Sequence, residues 1–270
     1  MVRMVLIFWC IASCLRRRVS PQLFFQLNSE YFNTGKNIFS KLDMDRVIPD
    51  RWRLRQIEDD GHVVPEMPVF LKPEWGQNSH GIYLIQTARD LETARRKRRV
   101  KKTSYLFQEA AREKREFEIF YIRSATDNSR FAMLSITEVK NSSHADLYIN
   151  GVHNTDSSYH DITDDFSAEE QQRLWSMLKG VGRFRIARVG VRANSISELL
   201  SGIFHIIEIN IFLPLPLFLL DKEISWARKH QFIRKSMTIA ADLIAHLPTR
   251  KKRRAIFFRQ LIAHYRVKGY

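Results

Sequence analysis

One stretch, Val69 to Gln86, constrains this chain more than any other. It reads as strand, polar loop, strand. Met67–Lys72 is an apolar run closed by a lysine, Pro73–His80 carries the turn residues Gly76, Asn78 and Ser79, and Gly81–Gln86 is apolar again. A lysine at a strand end, facing a loop of small and polar residues, is what a polyphosphate needs. Backbone N–H groups and hydroxyls wrap the anion while the ammonium neutralises it. The Walker arrangement is excluded, because Lys72 precedes the glycines instead of following them. Lys72 and Ser79 are the candidate phosphate contacts. Taken alone, the same residues also fit an ordinary hairpin with a surface lysine.

With 270 residues, 44% of them hydrophobic, the chain has room for one substantial domain or two small lobes. The net charge of +15 predicts attraction to anions, whether nucleotides, nucleic acids or membrane surfaces. Cys10 and Cys14 are the only cysteines. They build neither a disulfide framework nor a zinc site, and a reducing, cytoplasmic compartment fits them best. Met1–Leu15 is apolar but shorter than the roughly 20 residues of a membrane span. Its arginines (Arg16, Arg17, Arg18) follow the apolar run, whereas a signal peptide puts charge before it. The expectation is a buried strand or helix, the remnant of a larger domain, with no stable membrane insertion.

Further along, Glu30–Leu42 has helical spacing, with Phe32, Ile38, Phe39 and Leu42 on one face and Lys36 and Lys41 on or beside it. Thr87–Val100 predicts a helix capped by Thr87 with Asp90 in its first turn. Its basic end, Arg95 to Lys102, is either a solvated helix terminus matched to the dipole or a nucleic-acid contact. Ser104–Glu109 and Glu116–Arg123 read as strands joined by a short polar link. Phe131–Val139 predicts another strand, and a short strand is expected at Ala145–Ile149 among loops. His144, His153 and His160 lack metal-ligand spacing. Ser167 and Glu170 form a capping box for a helix to about Leu178. Asp221–Leu247 reads as a long amphipathic helix, with Trp226, Ile233, Met237 and Ile244 among its core positions. A basic run, Thr249–Arg254, precedes a final helical segment.

Within Arg185–Asn210 the piece Phe-His-Ile-Ile-Glu-Ile-Asn predicts a buried strand with Glu208 and Asn210 on one face. Two oxygen donors side by side at a strand end suit a hard cation such as magnesium. As bare core polarity they would cost several kcal/mol without partners of their own.

These pieces together resemble the ATP-grasp superfamily, and in particular the D-alanine–D-alanine ligase-like carboxylate–amine ligases. The resemblance covers roughly Lys36 to Leu247 and implies roles residue by residue. Lys36 and Lys72 hold nucleotide phosphates under a loop that includes Ser79. Glu109 and Glu116 flank the hinge over the adenine and ribose. Glu208 and Asn210 ligate magnesium, and Arg188 stabilises the acyl-transfer transition state. The aspartate that the pattern expects two residues after that arginine is Gly190 here. The implied fold is α+β, two lobes with antiparallel sheets clasping ATP. The expected division is 1–27 as an N-terminal apolar and basic remnant, 28–108 as the lobe with the phosphate loop, and 109–270 as the lobe with the metal site. The domain that usually precedes the grasp is expected to be truncated or absent.

The implied activity is an ATP- and Mg-dependent ligase that turns a carboxylate into an acyl phosphate for attack by an amine. Two alternatives stay open. Gly190 suggests a nucleotide-binding relative with lost or reduced catalysis, and the basic runs suggest a nucleic-acid-binding protein, the less favoured of the two. The expected partners are ATP and a small-molecule or peptide carboxylate and amine. Neither substrate, nor the oligomeric state, is marked by any sequence feature.

Overall fold

In the computed structural model, the described residues are 2–76, 79–98, 104–127, 129–143, 145, 147–151, 154–248 and 256–259. Asn78, the basic residues 99 and 101–102, His144, His153 and the run 249–254 lie outside them.

The first half of the chain builds a small sheet. Helix α1 (Val2–Arg16) is followed by 3-10 turns and by the short helix α2 (Lys41–Asp45), capped by the Ser40 hydroxyl. Then come β1 (Gln56–Glu58), β2 (Val69–Pro73), β3 (Tyr83–Ile85), helix α3 (Ala88–Arg96) and β4 (Tyr105–Glu109). The strands lie in the order β1-β4-β2-β3, all antiparallel. Alternation along β2 and β4 turns Val69, Leu71, Tyr105 and Phe107 onto Leu91 and Ala94 of α3. The reciprocal Thr87–Asp90 capping box starts α3 where the sequence puts it.

The second half builds a larger sheet from β5 (Arg115–Arg123), β6 (Phe131–Asn141) and β7 (Ser157–Asp161), then helix α4 (Ala168–Leu178), β8 (Ile186–Ala193), helix α5 (Ile196–Ser201) and β9 (His205–Asn210). Its order is β7-β6-β5-β8-β9. One face packs Phe117, Ile119, Tyr121 and Val189 against Leu174, Trp175 and Leu178 of α4. Phe32, Phe39, Ile48 and Trp52 join this same core, so the segment placed in the first lobe by its position in the chain buries its apolar residues on the larger sheet. The opposite face is covered only at one end. There Phe120, Ile122 and Ile186 pack under Leu243 and Ile244 of α6 (Trp226–Ala245) and Cys14 of α1. The other end of that face is open, and it becomes the floor of the candidate site.

Four local expectations are corrected. Glu30–Leu42 is not a helix: Asn33 and Ile38 bridge across a turn containing Gly35 and Asn37, whose φ is +57°, and helix begins only at Lys41. The edge strand pairing with β6 is Ser157–Asp161, not Ala145–Ile149. Trp226 is 41% exposed at the first turn of α6 rather than in the core. The N-terminal apolar segment is a helix lying on α6, and only its Ser13 and Cys14 are fully buried. Among the described residues no helix is long and apolar enough to cross a membrane.

Candidate functional site

Three adjacent strands bring charged residues to one face. Glu116 and Glu118 on β5, Arg188, Gly190 and Arg192 on β8, and Glu208 and Asn210 on β9 are spaced by two, so each set shares a side. The register aligns the sets across the sheet. Glu116 opposes Arg192, Glu118 opposes Gly190, Gly190 opposes Glu208, and Arg188 opposes Asn210. Arg192 Nη2 donates to Glu116 Oε2 at 3.0 Å. Arg188 sits between two carboxylates, with Nε 2.9 Å from Glu118 Oε2 and Nη2 donating to Glu208 Oε1 at 2.8 Å. Its Nη1 donates to the Leu215 carbonyl at 3.2 Å.

Gly190 explains how these groups fit. A Cβ there would lie 2.8 Å from Glu118 Oε1 and 3.0 Å from Glu208 Cγ. The Glu118 carboxylate therefore fills the space into which a side chain at position 190 would grow. Burial pushes the Glu118 carboxyl well up, and the nearby Glu208 charge adds to it against the pull of Arg188. For Glu208 burial also opposes the charge, but Arg188, Lys72 and Lys41 outweigh it and hold the group below the usual glutamate range. Burial likewise raises Glu116, with Arg192 opposing.

The smaller sheet and α2 supply the facing cations. Lys72 lies on β2 and its ammonium donates to Gln108 Oε1; Lys41 on α2 donates to the Pro73 carbonyl at 2.8 Å. Burial pushes each ammonium down to about 8, and for Lys41 the Lys72 charge adds to the effect. Both lysines, Glu116, Glu118, Glu208, Asn210, Arg188 and Arg192 line one cleft of about 630 Å³ between the sheets. A neighbouring pocket of about 50 Å³ is lined by Lys41, Lys72, Gln108, Glu208 and Asn210 among others.

The remaining expected residues divide. Ser79 lines the cleft in a left-handed conformation (φ +58°), and its hydroxyl donates to the Asn150 carbonyl at 2.6 Å, tying the hairpin loop to the larger sheet's loop. Glu109 lines the cleft at the exposed end of β4. Glu116 is in the cleft, with Oε2 accepting from Arg192. Lys36 is not in the cleft. It sits in the turn after Asn33, with Nζ donating to Glu74 at 2.8 Å, whereas Lys41 lines the cleft. Of the basic run, Arg95 and Arg98 are bound to the buried Asp59 and are structural. His160 lies near Ser158 Oγ at 3.0 Å.

Sequence reasoning missed Glu118, Arg192 and Lys41. The first two carried a signal: each is two residues from a residue already singled out, which puts it on the same strand face.

A cation's fit can be judged from the donors. Among the described residues no group of three or more His, Cys, Asp or Glu could hold a metal ion. Magnesium does not require such a cage, since one or two carboxylates with waters and phosphate oxygens suffice. Glu208 and the Asn210 amide on β9 and Glu118 on β5 supply hard oxygens on one face of the larger sheet. Glu118 Oε2 and Asn210 Nδ2 are buried without a hydrogen-bond partner, although Arg188 Nε faces the former. The oxygen types are ones that magnesium takes, and both carboxylates are paired with Arg188.

The lysines give a test of the electrostatics. Their folded values of about 8 lie below the ordinary 10.5. Between those limits the unfolded chain holds protons that the folded chain has released, so these two groups make stability rise with pH, by up to about 1.4 kcal/mol per pH unit each. From pH 7 to pH 9.5 the urea midpoint should therefore rise relative to that of a Lys41→Met, Lys72→Met double variant, whose advantage is largest at pH 7 and shrinks by pH 9.5.

Two antiparallel sheets, a lysine-bearing hairpin from one and a carboxylate–amide strand from the other, facing across a cleft, define the ATP-grasp class of fold. The D-Ala:D-Ser ligase from Enterococcus faecalis superposes at a TM-score of 0.51 and 12% identity, over 81% of this chain and 70% of its own. The D-alanine–D-alanine ligase from Bacillus anthracis gives 0.49 and 14%, covering 77% of this chain and 67% of its own. The L-amino acid ligase from Bacillus licheniformis gives 0.46 and 14%; there the alignment covers 74% of this chain but only 47% of the ligase. At 12% identity the likeness to the D-Ala:D-Ser ligase is one of fold. No family model and no curated protein matches the chain.

Proposed function

We propose that the cleft binds ATP with magnesium and transfers its γ-phosphoryl group to a carboxylate, forming an acyl phosphate that an amine then attacks. The observation that carries this reading is the convergence of Lys72 and Lys41 from one side with Glu208, Asn210 and Glu118 from the other on a single cleft. Lys72 and Lys41 neutralise phosphate oxygens, and the hairpin loop with Ser79 covers them. Glu208 and Asn210 would hold magnesium, and Glu118 supplies the carboxylate that Gly190 lacks. When bound, magnesium neutralises charge on the transferring phosphate. Arg188 holds the two glutamates in place and offers positive charge where an acyl oxygen becomes negative. Glu109 and the link at residues 110–114 border the base. The protein's part is placement and charge neutralisation rather than covalent chemistry.

A second reading, nucleotide binding without turnover, is favoured by Gly190 and by the engagement of all three Arg188 nitrogens. A thermal-shift screen of nucleotides, with and without magnesium, tests the shared part. ATP at a hundred times its Kd should add about 2.7 kcal/mol of stability, and at one fixed ATP concentration the gain should be larger with magnesium than without. Carboxylate-dependent ADP release then separates the two readings. No shift with any nucleotide ends both.

A further inference from the structure

Helix α1 has two unlike sides. Trp9 Nε1 donates to His230 Nε2 at 3.0 Å, the Ser13 and Thr238 hydroxyls lie 3.5 Å apart, and Arg17 Nε is 2.5 Å from Asp242 Oδ1, so α1 runs alongside α6 in the same direction. Val5, Leu6, Trp9 and Cys10 pack on that side with Ile233 and Met237 of α6. The other side is a row of Met4, Ile7, Phe8, Ile11 and Leu15, spaced as one face of a helix and between 43% and 68% exposed. These five are half of the ten large hydrophobic side chains exposed among the described residues. Single exposed apolar residues are ordinary, whereas a contiguous row marks a contact surface.

Charge decides what the row meets. The first acid in the chain is Glu30, and before it stand Arg3, Arg16, Arg17 and Arg18. Arg3 and Arg16 lie at the two ends of α1, and Arg17 and Arg18 follow directly. Arg17 is paired with Asp242, whereas Arg3, Arg16 and Arg18 are exposed and in no ion pair among the described residues. Helix α6 adds Arg234, exposed and one turn from both His230 and Thr238. A second copy of the chain is a poor cover, since laying the row on itself brings these arginines against their own copies. A nucleic acid matches the arginines but has no apolar phase for Phe8 or Leu15. An anionic bilayer matches both, with acyl chains for the row and phosphates for its cationic ends. With 15 residues, α1 is about 22 Å long, shorter than the roughly 30 Å of a bilayer core.

We propose that α1 docks this protein on the surface of an anionic membrane, lying in the headgroup boundary without crossing it. The row sits among the upper acyl chains, and Arg3, Arg16 and Arg18 meet lipid phosphates. Arg3, Ile7 and Ile11 also border the mouth of the cleft, so docking holds that mouth beside the bilayer. Docking needs no nucleotide and is independent of the chemistry in the cleft.

The test is co-sedimentation of the full chain with vesicles of phosphatidylcholine, alone or with about a third phosphatidylglycerol, at low and at high salt. An arginine near an anionic surface is worth about fivefold in affinity, so three should make the anionic vesicles bind about a hundredfold tighter than the neutral ones. Salt should remove most of that difference. Phe8→Gln with Leu15→Gln should weaken binding to the anionic vesicles roughly tenfold or more. Arg16→Gln with Arg18→Asn should weaken it about thirtyfold while leaving the neutral vesicles unaffected. Asparagine is chosen at position 18 because φ there is +54°. All four side chains are exposed and none lines the cleft, so both variants should keep the parent's thermal midpoint and its nucleotide-induced shift. No pelleting with either vesicle overturns the proposal. So does anionic binding that survives Phe8→Gln with Leu15→Gln, which is the general attraction of a chain of net charge +15. A lipid-free dimer that the same variant splits, seen by analytical ultracentrifugation, also overturns it and assigns the row to a second copy.

Discussion

Replacing Lys72 by methionine should make the protein more stable at pH 7 and at the same time strip it of most of its affinity for magnesium-ATP. The two effects have one origin. Burial pushes the Lys72 ammonium down to about 8, so the fold holds a charge it would rather release. At about 1.4 kcal/mol per pH unit, the cost at pH 7 is on the order of 2–3 kcal/mol. Methionine keeps the side chain's length and removes that cost. Against it stands Gln108, which is 3% exposed and loses the ammonium as a partner, a loss of about 1 kcal/mol. The net expectation is a gain of about 1–2 kcal/mol in urea unfolding. A hydrogen bond to a charged group contributes about 1.5–3 kcal/mol, so nucleotide affinity by calorimetry should fall roughly ten- to a hundred-fold. A residue placed only for architecture would not behave this way. If the variant is destabilised and still binds ATP, Lys72 is a structural lysine and the phosphate-loop assignment is lost.

Strands such as Val69–Pro73 and Arg115–Arg123 were legible because apolar patterns and turn residues bracket them, whereas the order of strands within each sheet was not, since it depends on pairing between distant segments. The helices α3 and α4 were legible from their capping boxes, where a side-chain acceptor and a third-position carboxylate leave little freedom. What misled was local spacing without tertiary information. Phe32, Ile38 and Phe39 are spaced as on a helix, yet all three are buried from a turn, because the larger sheet's core receives them whatever their backbone does. That error favoured Lys36 over Lys41, which is the one of the two that lines the cleft. Ser157–Asp161 was hidden for a different reason. It is a polar edge strand, Ser-Ser-Tyr-His-Asp, without the apolar alternation that marks a covered one. Glu118 carried only its two-residue spacing from Glu116; that it stands opposite Gly190 follows from register with another part of the chain, which local spacing does not give.

Restoring the aspartate at position 190 should damage the protein rather than repair it. An added Cβ alone comes within 2.8 Å of Glu118 Oε1 and 3.0 Å of Glu208 Cγ, and an aspartate would add a third negative group beside two that already share one arginine. Steric displacement and unpaired buried charge each cost on the order of 1–3 kcal/mol, so Gly190→Asp should lower stability by about 3–4 kcal/mol and abolish cooperative binding of manganese, used as a spectroscopic stand-in for magnesium. Exchanging the two positions should reverse this. Glu118→Ala with Gly190→Asp removes the blocking carboxylate and supplies another on the neighbouring strand, so the double variant should recover most of the stability and the manganese signal in electron paramagnetic resonance. Glu118→Ala alone should lose the ion while keeping the fold, because it opens space without stranding a charge: Arg188 still has Glu208 at 2.8 Å. The interaction between the two substitutions, measured as the departure from additivity, should exceed about 1 kcal/mol, as expected for groups in direct contact. Additive losses would mean that the glutamate and the missing aspartate do not occupy the same role, and that the metal reading must stand on Glu208 and Asn210 without Glu118.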